Sequence, residues 1–274
     1  MVKILTMEQI QEIKQRYVNG ESSEKLALDY PVSSVAIRGI LKRRGVKIRD
    51  QSHSRQVYNI NEDFFENIDN EENAYWLGFI CADGYLNIKR GVLSIGISIK
   101  DEEYLKKFLS DLKSNHPLRY FKIKDYRYVR IDIRNKKLYG DLKKFIKEKK
   151  TFSLEFPKIK EEFENDFIRG YFDGDGSIYF NKKQNNCQFT ITSNIGFLNE
   201  LKKRLLEIGL NDNKFYVRNK ETPEIATLVY SGRNNIKKFY NYLYNNSTLF
   251  FERKKVIFEQ IESETRNKRG IKKC

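Results

Sequence analysis

Two stretches of this chain repeat one another. AYWLGFICADGYL at 74–86 matches DFIRGYFDGDGSI at 166–178; each is an apolar segment with a glycine in its middle, and each ends in Asp-Gly. Asp175 stands 92 positions after Asp83. Such self-similarity has to be settled before any other fold question, because it fixes the unit of construction. The segments after each copy are also alike. Two strand-like segments come first (YLNIK and LSIGISIK; SIYFN and CQFTITS), then a helix (EEYLKKFLSDL; GFLNELKKRLLEIGL). Two further strands come next (LRYFKIK with YRYVRIDIR; KFYVRN with IATLVY), and a last helix closes each half (KLYGDLKKFIKEK; NNIKKFYNYLY). The order predicts an α+β fold of two αββαββα repeats, at 63–160 and 161–262, with a basic tail at 263–274.

Ahead of the repeats, residues 1–46 read as a small all-α domain. Thr6 can cap a first helix that ends at Gly20, with Ile10, Ile13 and Tyr17 on one stripe. Ser22 or Ser23 can cap a second, closed by Pro31, and Ser33 or Ser34 a third that ends at Gly45. Three short helices at this spacing form the helix-turn-helix pattern, with the third helix as the reader of DNA. Its candidate contacts are Ser33, Ser34, Arg38, Lys42 and Arg43. A plain three-helix surface module is the alternative. Residues 47–62 lack a period and read as a basic linker, offering Lys47, Arg49 and Arg55 to phosphates.

Composition narrows the partners. Lysine and arginine total 52 against 37 acids, a net charge of +15, which attracts polyanions and makes nucleic acid the default partner. Aromatics at 14% exclude a disordered basic tail. Three scattered cysteines and two histidines exclude a disulfide framework, a zinc finger and histidine-based metal chemistry. No apolar run suits a membrane span or a signal peptide, so the expected location is intracellular: cytoplasmic, nucleoid-associated or organellar.

The glycines and acids of the repeats carry the chemistry. Gly78 and Ala82, like Gly170 and Gly174, are spaced to clear one helix face for close backbone approach. Packing on those faces would bring Asp83 and Asp175 side by side at two negative helix ends. Paired carboxylates without His or Cys favour Mg²⁺, and Mg²⁺ against a polyanion is the machinery of phosphodiester hydrolysis. A hairpin turn or a calcium loop are the competing readings of Asp-Gly, but DGDG lacks the distal ligands of a calcium loop.

The strands alternate with period two, which gives each sheet one apolar and one polar face. In the first repeat the polar candidates for DNA are Lys89, Ser98, Lys100, Lys122, Lys124, Arg130 and Arg134. In the second they are Tyr179, Asn181, Gln188, Thr190, Thr192, Lys214, Tyr216 and Arg218. Such side chains read base edges and grip phosphates.

AYWLGFICADG and FIRGYFDGDG resemble the two motifs of the LAGLIDADG homing endonucleases in their single-chain form, over about residues 63 to 262. The first motif departs at Cys81, where the family often has an acid. The resemblance implies two pseudo-symmetric repeats with saddle-shaped antiparallel sheets on double-stranded DNA, acting as a monomer on a long, partly asymmetric site. It implies Mg²⁺-dependent cleavage of both strands, with Mn²⁺ substituting and Ca²⁺ binding without cleavage. It makes Asp83 and Asp175 the metal ligands, with the main-chain carbonyls of Ala82 and Gly174 completing the shell. It also points to a basic residue near each scissile phosphate; Lys150 and Lys254 match, with Lys149 and Arg253 beside them, or these are a solvated charge run. The same scaffold serves regulators that bind DNA without cutting and RNA-splicing cofactors; the retained acid pair favours the enzyme.

Overall fold

The computed structural model describes residues 5–48, 58–87, 89–147, 150–217 and 219–271, with side chains up to 264 in the last segment. Arg49, Arg55, Lys149 and Arg218 lie outside the described residues. The chain forms two compact units, Met1–Asn61 with Ser94–Ile133, and Glu62–Leu93 with Arg134–Cys274. The division cuts across the repeats read from the sequence. The reason is local: the helix that opens the first repeat packs on its counterpart in the second.

In the first unit three helices share one core: α1 (Met7–Val18), α2 (Ser23–Leu26) and α3 (Ser34–Arg43). Thr6 caps α1 in a reciprocal box with Gln9, and the hydroxyls of Ser22 and Ser33 cap α2 and α3. Ile13, Leu26, Ile37 and Leu41 are buried among them. Arg38 is turned inward to Glu24 at 2.7 Å and to Ser23 at 2.9 Å, so it braces α2 against α3. Lys42 and Arg43 remain exposed on the last turn of α3.

The first repeat continues with β2 (Val92–Ser98), α5 (Glu102–Asp111), β3 (Arg119–Ile123) and β4 (Tyr126–Ile133). With β1 (Gly84–Asn87) the strand order is β1-β2-β4-β3. β3 and β4 pair antiparallel, with Arg119 opposite Arg130 and Phe121 opposite Tyr128. The three-helix module meets this hairpin through charge. Asp29 accepts from both Arg16 (2.6 Å) and Arg127 (2.5 Å), and buried Glu102 takes Lys25 at 3.2 Å and the Tyr120 hydroxyl at 2.9 Å.

The second unit is built on α4 (Glu71–Asp83) and α8 (Glu164–Asp175). Between them lie α6 (Lys136–Leu142) and α7 (Lys150–Ser153). After them come β5 (Ser177–Asn181), β6 (Asn186–Asn194), α9 (Ile195–Glu207), β7 (Ile225–Ser231), α10 (Arg233–Tyr244) and α11 (Glu252–Ile271). The second sheet runs β5-β6-β7, all antiparallel. Every residue of α4 from Asn73 to Ala82 is buried, as befits a helix covered on all sides. Arg169, fully buried in α8, holds the ends together: it donates to the Leu243 and Leu249 carbonyls and to Glu71, at 2.7–2.8 Å.

Three expectations change. KFYVRN forms no strand among the described residues; only Tyr216 pairs, with Thr227, through two bonds of 2.9 Å. The strand read as LSIGISIK stops at Ser98, whose hydroxyl caps a 3₁₀ turn that carries Lys100. The basic segment after 262 continues α11 as helix to Ile271. Among the described residues no helix is long and apolar enough to cross a membrane.

Candidate active site

Glycine sets the approach of α4 to α8. A Cβ on Gly78 would sit 2.0 Å from the Phe167 carbonyl oxygen, and one on Gly170 would sit 1.9 Å from that of Tyr75. A Cβ on Gly174 would lie 2.3 Å from the Ala82 Cβ. The two backbones therefore touch along their length down to the aspartates. Each helix then stops at once, because Gly84 and Gly176 take an extended conformation and lead directly into β1 and β5. The Asp-Gly pairs are thus helix-to-strand junctions, neither hairpin turns nor calcium loops.

Asp83 and Asp175 end up as neighbours. A substituent on Gly174, next to Asp175, would come within 3.4 Å of Asp83 Oδ2. Both side chains are open to solvent on one side and backed by the helix ends on the other. Burial of that inner side, and then the charge of Asp175, pushes the Asp83 carboxyl above its ordinary range, against Lys150, Lys254 and Arg253. Burial likewise raises Asp175, opposed by Lys150 and Lys254. No hydrogen bond or ion pair engages either carboxylate among the described residues.

The two lysines seal the helix ends. Lys150 Nζ donates to the carbonyls of Ala82 and of Gly84 (2.7 Å), with Ile80 at 3.4 Å. Lys254 Nζ donates to those of Phe172 (2.6 Å), Asp173 (2.7 Å) and Gly176 (2.6 Å), with Gly174 at 3.3 Å. Orphan carbonyls at a helix C-terminus attract cations, and these ammonium groups meet that demand. They occupy equivalent carbonyls, since 80, 82 and 84 correspond to 172, 174 and 176 in the repeat. Burial lowers both, Lys254 to about 8, while the surrounding acids hold them up. The lysines are therefore neither solvated nor free-standing.

Asp173 was not singled out from the sequence, although the repeat pairs it with Cys81. Its buried carboxylate accepts from the Tyr75 hydroxyl (2.7 Å) and the Phe251 amide (2.8 Å), which pins the turn that carries Lys254. Burial lifts it to about 6. Cys81 is buried without such partners, and its thiol is pushed up to about 12.

The remaining candidates are spread over several surfaces. Arg130 lies on the open face of β4, whereas Lys122 lies opposite Arg127 on the other face of the hairpin. Lys124 sits in the β3–β4 turn with φ 53°, and Lys89 in the turn before β2. Arg134 comes directly after β4. Tyr179 and Gln188 are cross-strand partners on the second sheet, and Thr192 bonds Thr227 at 2.8 Å on the same side. Thr190 pairs with Ser177, and Asn181 with Asn186. Lys214 is exposed in the loop ahead of Tyr216. Arg119 was missed; its signal was the alternation of LRYFKIK, which puts it beside Arg130.

Residues 162–244 match the family model described as LAGLIDADG-like domain. Those residues carry a LAGLIDADG-like domain. The LAGLIDADG fold is shared with the homing endonuclease I-WcaI, solved bound to its DNA recognition sequence (TM-score 0.52, 16% identity, 72% of this chain and 91% of that one). Full-length DUF199/WhiA from Thermatoga maritima aligns with a TM-score of 0.48 at 17% identity, over 76% of this chain and 65% of that one. An uncharacterized protein of Methanocaldococcus jannaschii, MJ0314, is 27% identical over 156 residues, 54% of this chain. The match spans 57% of that relative's length. At 16% identity the likeness to I-WcaI is one of fold.

Proposed function

We propose that this LAGLIDADG-like chain is a sequence-specific endonuclease that cuts both strands of double-stranded DNA with a divalent cation. One observation carries the reading: two solvent-open carboxylates, Asp83 and Asp175, meet at the ends of packed helices with no ion pair to neutralise them among the described residues. The donor set fits a hard divalent cation, because both ligands are carboxylate oxygens that repel until a cation joins them. Asp83 and Asp175 would hold it; bound there, Mg²⁺ or Mn²⁺ supplies Lewis acidity at the phosphate, and Ca²⁺ holds the site without turnover. Lys150 and Lys254 keep the helix ends in place and add positive charge beside the phosphate. The polar sheet faces orient the duplex. The N-terminal domain at 1–46 acts as a helix-turn-helix on flanking base pairs, with Lys42 and Arg43 on phosphates, and the linker at 47–62 follows the backbone. Repeats at 63–160 and 161–262 that differ in side chains give an asymmetric site read by a monomer, wherever in the cell DNA is held.

A second reading has its own support. The Ala82 and Gly174 carbonyls already accept from Lys150 and Lys254. A cation that needed those oxygens would compete with two ammonium groups, which suits a chain that binds DNA without cutting it. The test is a randomised duplex library incubated with the full chain and Mg²⁺. The endonuclease reading expects cut fragments from the wild type and none from Asp83→Asn or Asp175→Asn, with binding kept. Retained binding without cleavage under any divalent metal supports the second reading.

A further inference from the structure

The two sheets differ in charge. β5, β6 and β7 (SIYFN, NCQFTITSN, IATLVYS) contain no charged residue. Their open face presents the amides of Asn181, Asn186 and Gln188 among hydroxyls such as those of Tyr179, Thr192 and Thr227. The hairpin β3–β4 is built otherwise. Arg119 and Arg130 are cross-strand partners on its open face, and Asp132 stands beside them. Asp132 Oδ2 lies 3.5 Å from Arg119 Nη1 and 3.2 Å from Arg130 Nη2, while Oδ1 accepts from the Ser94 hydroxyl at 2.6 Å. Asp132 is mostly covered, at 18% side-chain exposure, whereas Arg119 and Arg130 are 64% and 44% exposed. The Arg130 guanidinium also rests 5.5 Å from the centroid of Phe121, itself stacked on Tyr128.

Resting on the DNA-binding reading above, we infer that Arg119 and Arg130 are guanine readers, aimed by Asp132, and that the duplex on the first sheet carries guanines that the duplex on the second sheet does not require. The warrant is the pairing of exposure with orientation. A guanidinium has five N–H donors in a planar fork, which matches the O6 and N7 acceptors of guanine in the major groove. A phosphate contact needs only charge, and a mobile lysine supplies that. Here one Nη of each fork lies at ion-pair distance from a carboxylate that Ser94 anchors, and the Arg130 guanidinium also lies over the Phe121 ring, so both forks are biased toward one orientation and less side-chain freedom is lost on binding. Asp132 is a positioning residue. The strands of the second sheet bring no arginine to their open face, and can read bases by side-chain amides and by threonine hydroxyls and methyls, without a guanine fork.

The experiment is selection of bound duplexes from a randomised pool by the full chain, in Ca²⁺, for the wild type, Arg119→Ala, Arg130→Ala, Arg130→Lys and Asp132→Asn. Melting curves check that each variant is folded. The wild type should enrich guanines in one part of its site. Each arginine-to-alanine change should remove the preference at one position, a loss of discrimination of about tenfold or more. Arg130→Lys should lose it too while keeping affinity for the pool, and Asp132→Asn should blur both positions with unchanged salt dependence. Variants that keep the guanines overturn the inference. So does a uniform loss of affinity with a shallower salt slope, which marks phosphate contacts. A wild type that retains no duplex overturns the DNA-binding reading itself, and this inference with it.

Discussion

Gly78 and Gly170 occupy equivalent places in α4 and α8, and each faces the backbone of the other's helix. Gly78 meets Phe167 and Tyr171, and Gly170 meets Tyr75 and Phe79, positions that correspond through the repeat. The two helices thus exchange the same contact about a pseudo-two-fold axis, and Asp83 and Asp175 are delivered together at its end.

Alanine at either glycine should be costly. The added Cβ would meet a carbonyl oxygen at 2.0 or 1.9 Å, and backbone cannot step aside as a flexible side chain can. Gly78→Ala and Gly170→Ala should each lose about 3 kcal/mol or more, the upper end of overpacking penalties. Gly140→Ala is the control. Nothing lies within 4 Å of its Cβ position, and it is exposed in α6, so helix propensity should raise stability by up to about 1 kcal/mol. Denaturant unfolding of the three variants checks the contrast.

Stability should also depend on pH through Glu71. Burial alone would raise its carboxyl, but the Thr248 hydroxyl, the Leu249 and Thr248 amides and Arg169 outweigh burial and hold it below the ordinary range. A depressed folded-state pKa stabilises above the unfolded value and is lost as pH falls through the folded one. Wild type should therefore exceed Glu71→Gln in stability at neutral pH, and the gap should close below about pH 4. A gap that stays constant from pH 7 to pH 3 contradicts the assignment.

The three-helix module should be held to the β3–β4 hairpin by charge. Asp29→Lys would place a third cation between Arg16 and Arg127. The module should then be cleaved faster in limited proteolysis, and Arg127→Asp in the same chain should restore resistance. High salt should mimic the single variant only in part, because Glu102 is buried and screened less.

Lys42 and Arg43 test whether the module contacts DNA, as proposed. Each alanine variant should weaken binding evenly across sequences and reduce the salt slope by about one. An unchanged slope would remove this module from the interface.

Much of the core was legible because its signals are local or repeated. The glycine spacing and the two terminal aspartates are visible as strings, and the caps at Thr6, Ser22 and Ser33 reflect side-chain oxygens at helix starts. The features that were not legible depend on distant partners. Arg38 looks like a DNA contact on α3 until Glu24 is folded beside it. Lys150 and Lys254 could be picked as basic residues after each repeat, but their bonds to carbonyls about 70 to 80 positions away are tertiary. KFYVRN alternates like a strand; its Phe215 ring instead lies under Lys202, and only Tyr216 reaches the sheet. Period two showed that β3 and β4 had two faces, but the ion pairs on Asp132 needed the register.

If the chain is a nuclease, Asp83 and Asp175 must share a cation at the DNA backbone. A crystal structure of the full chain with a selected duplex and Ca²⁺ is the decisive experiment. Ca²⁺ is expected within about 2.3–2.6 Å of oxygens from both aspartates and of a phosphate oxygen. DNA seated on the sheets with no cation between those carboxylates, or with both carboxylates away from every phosphate, would contradict it.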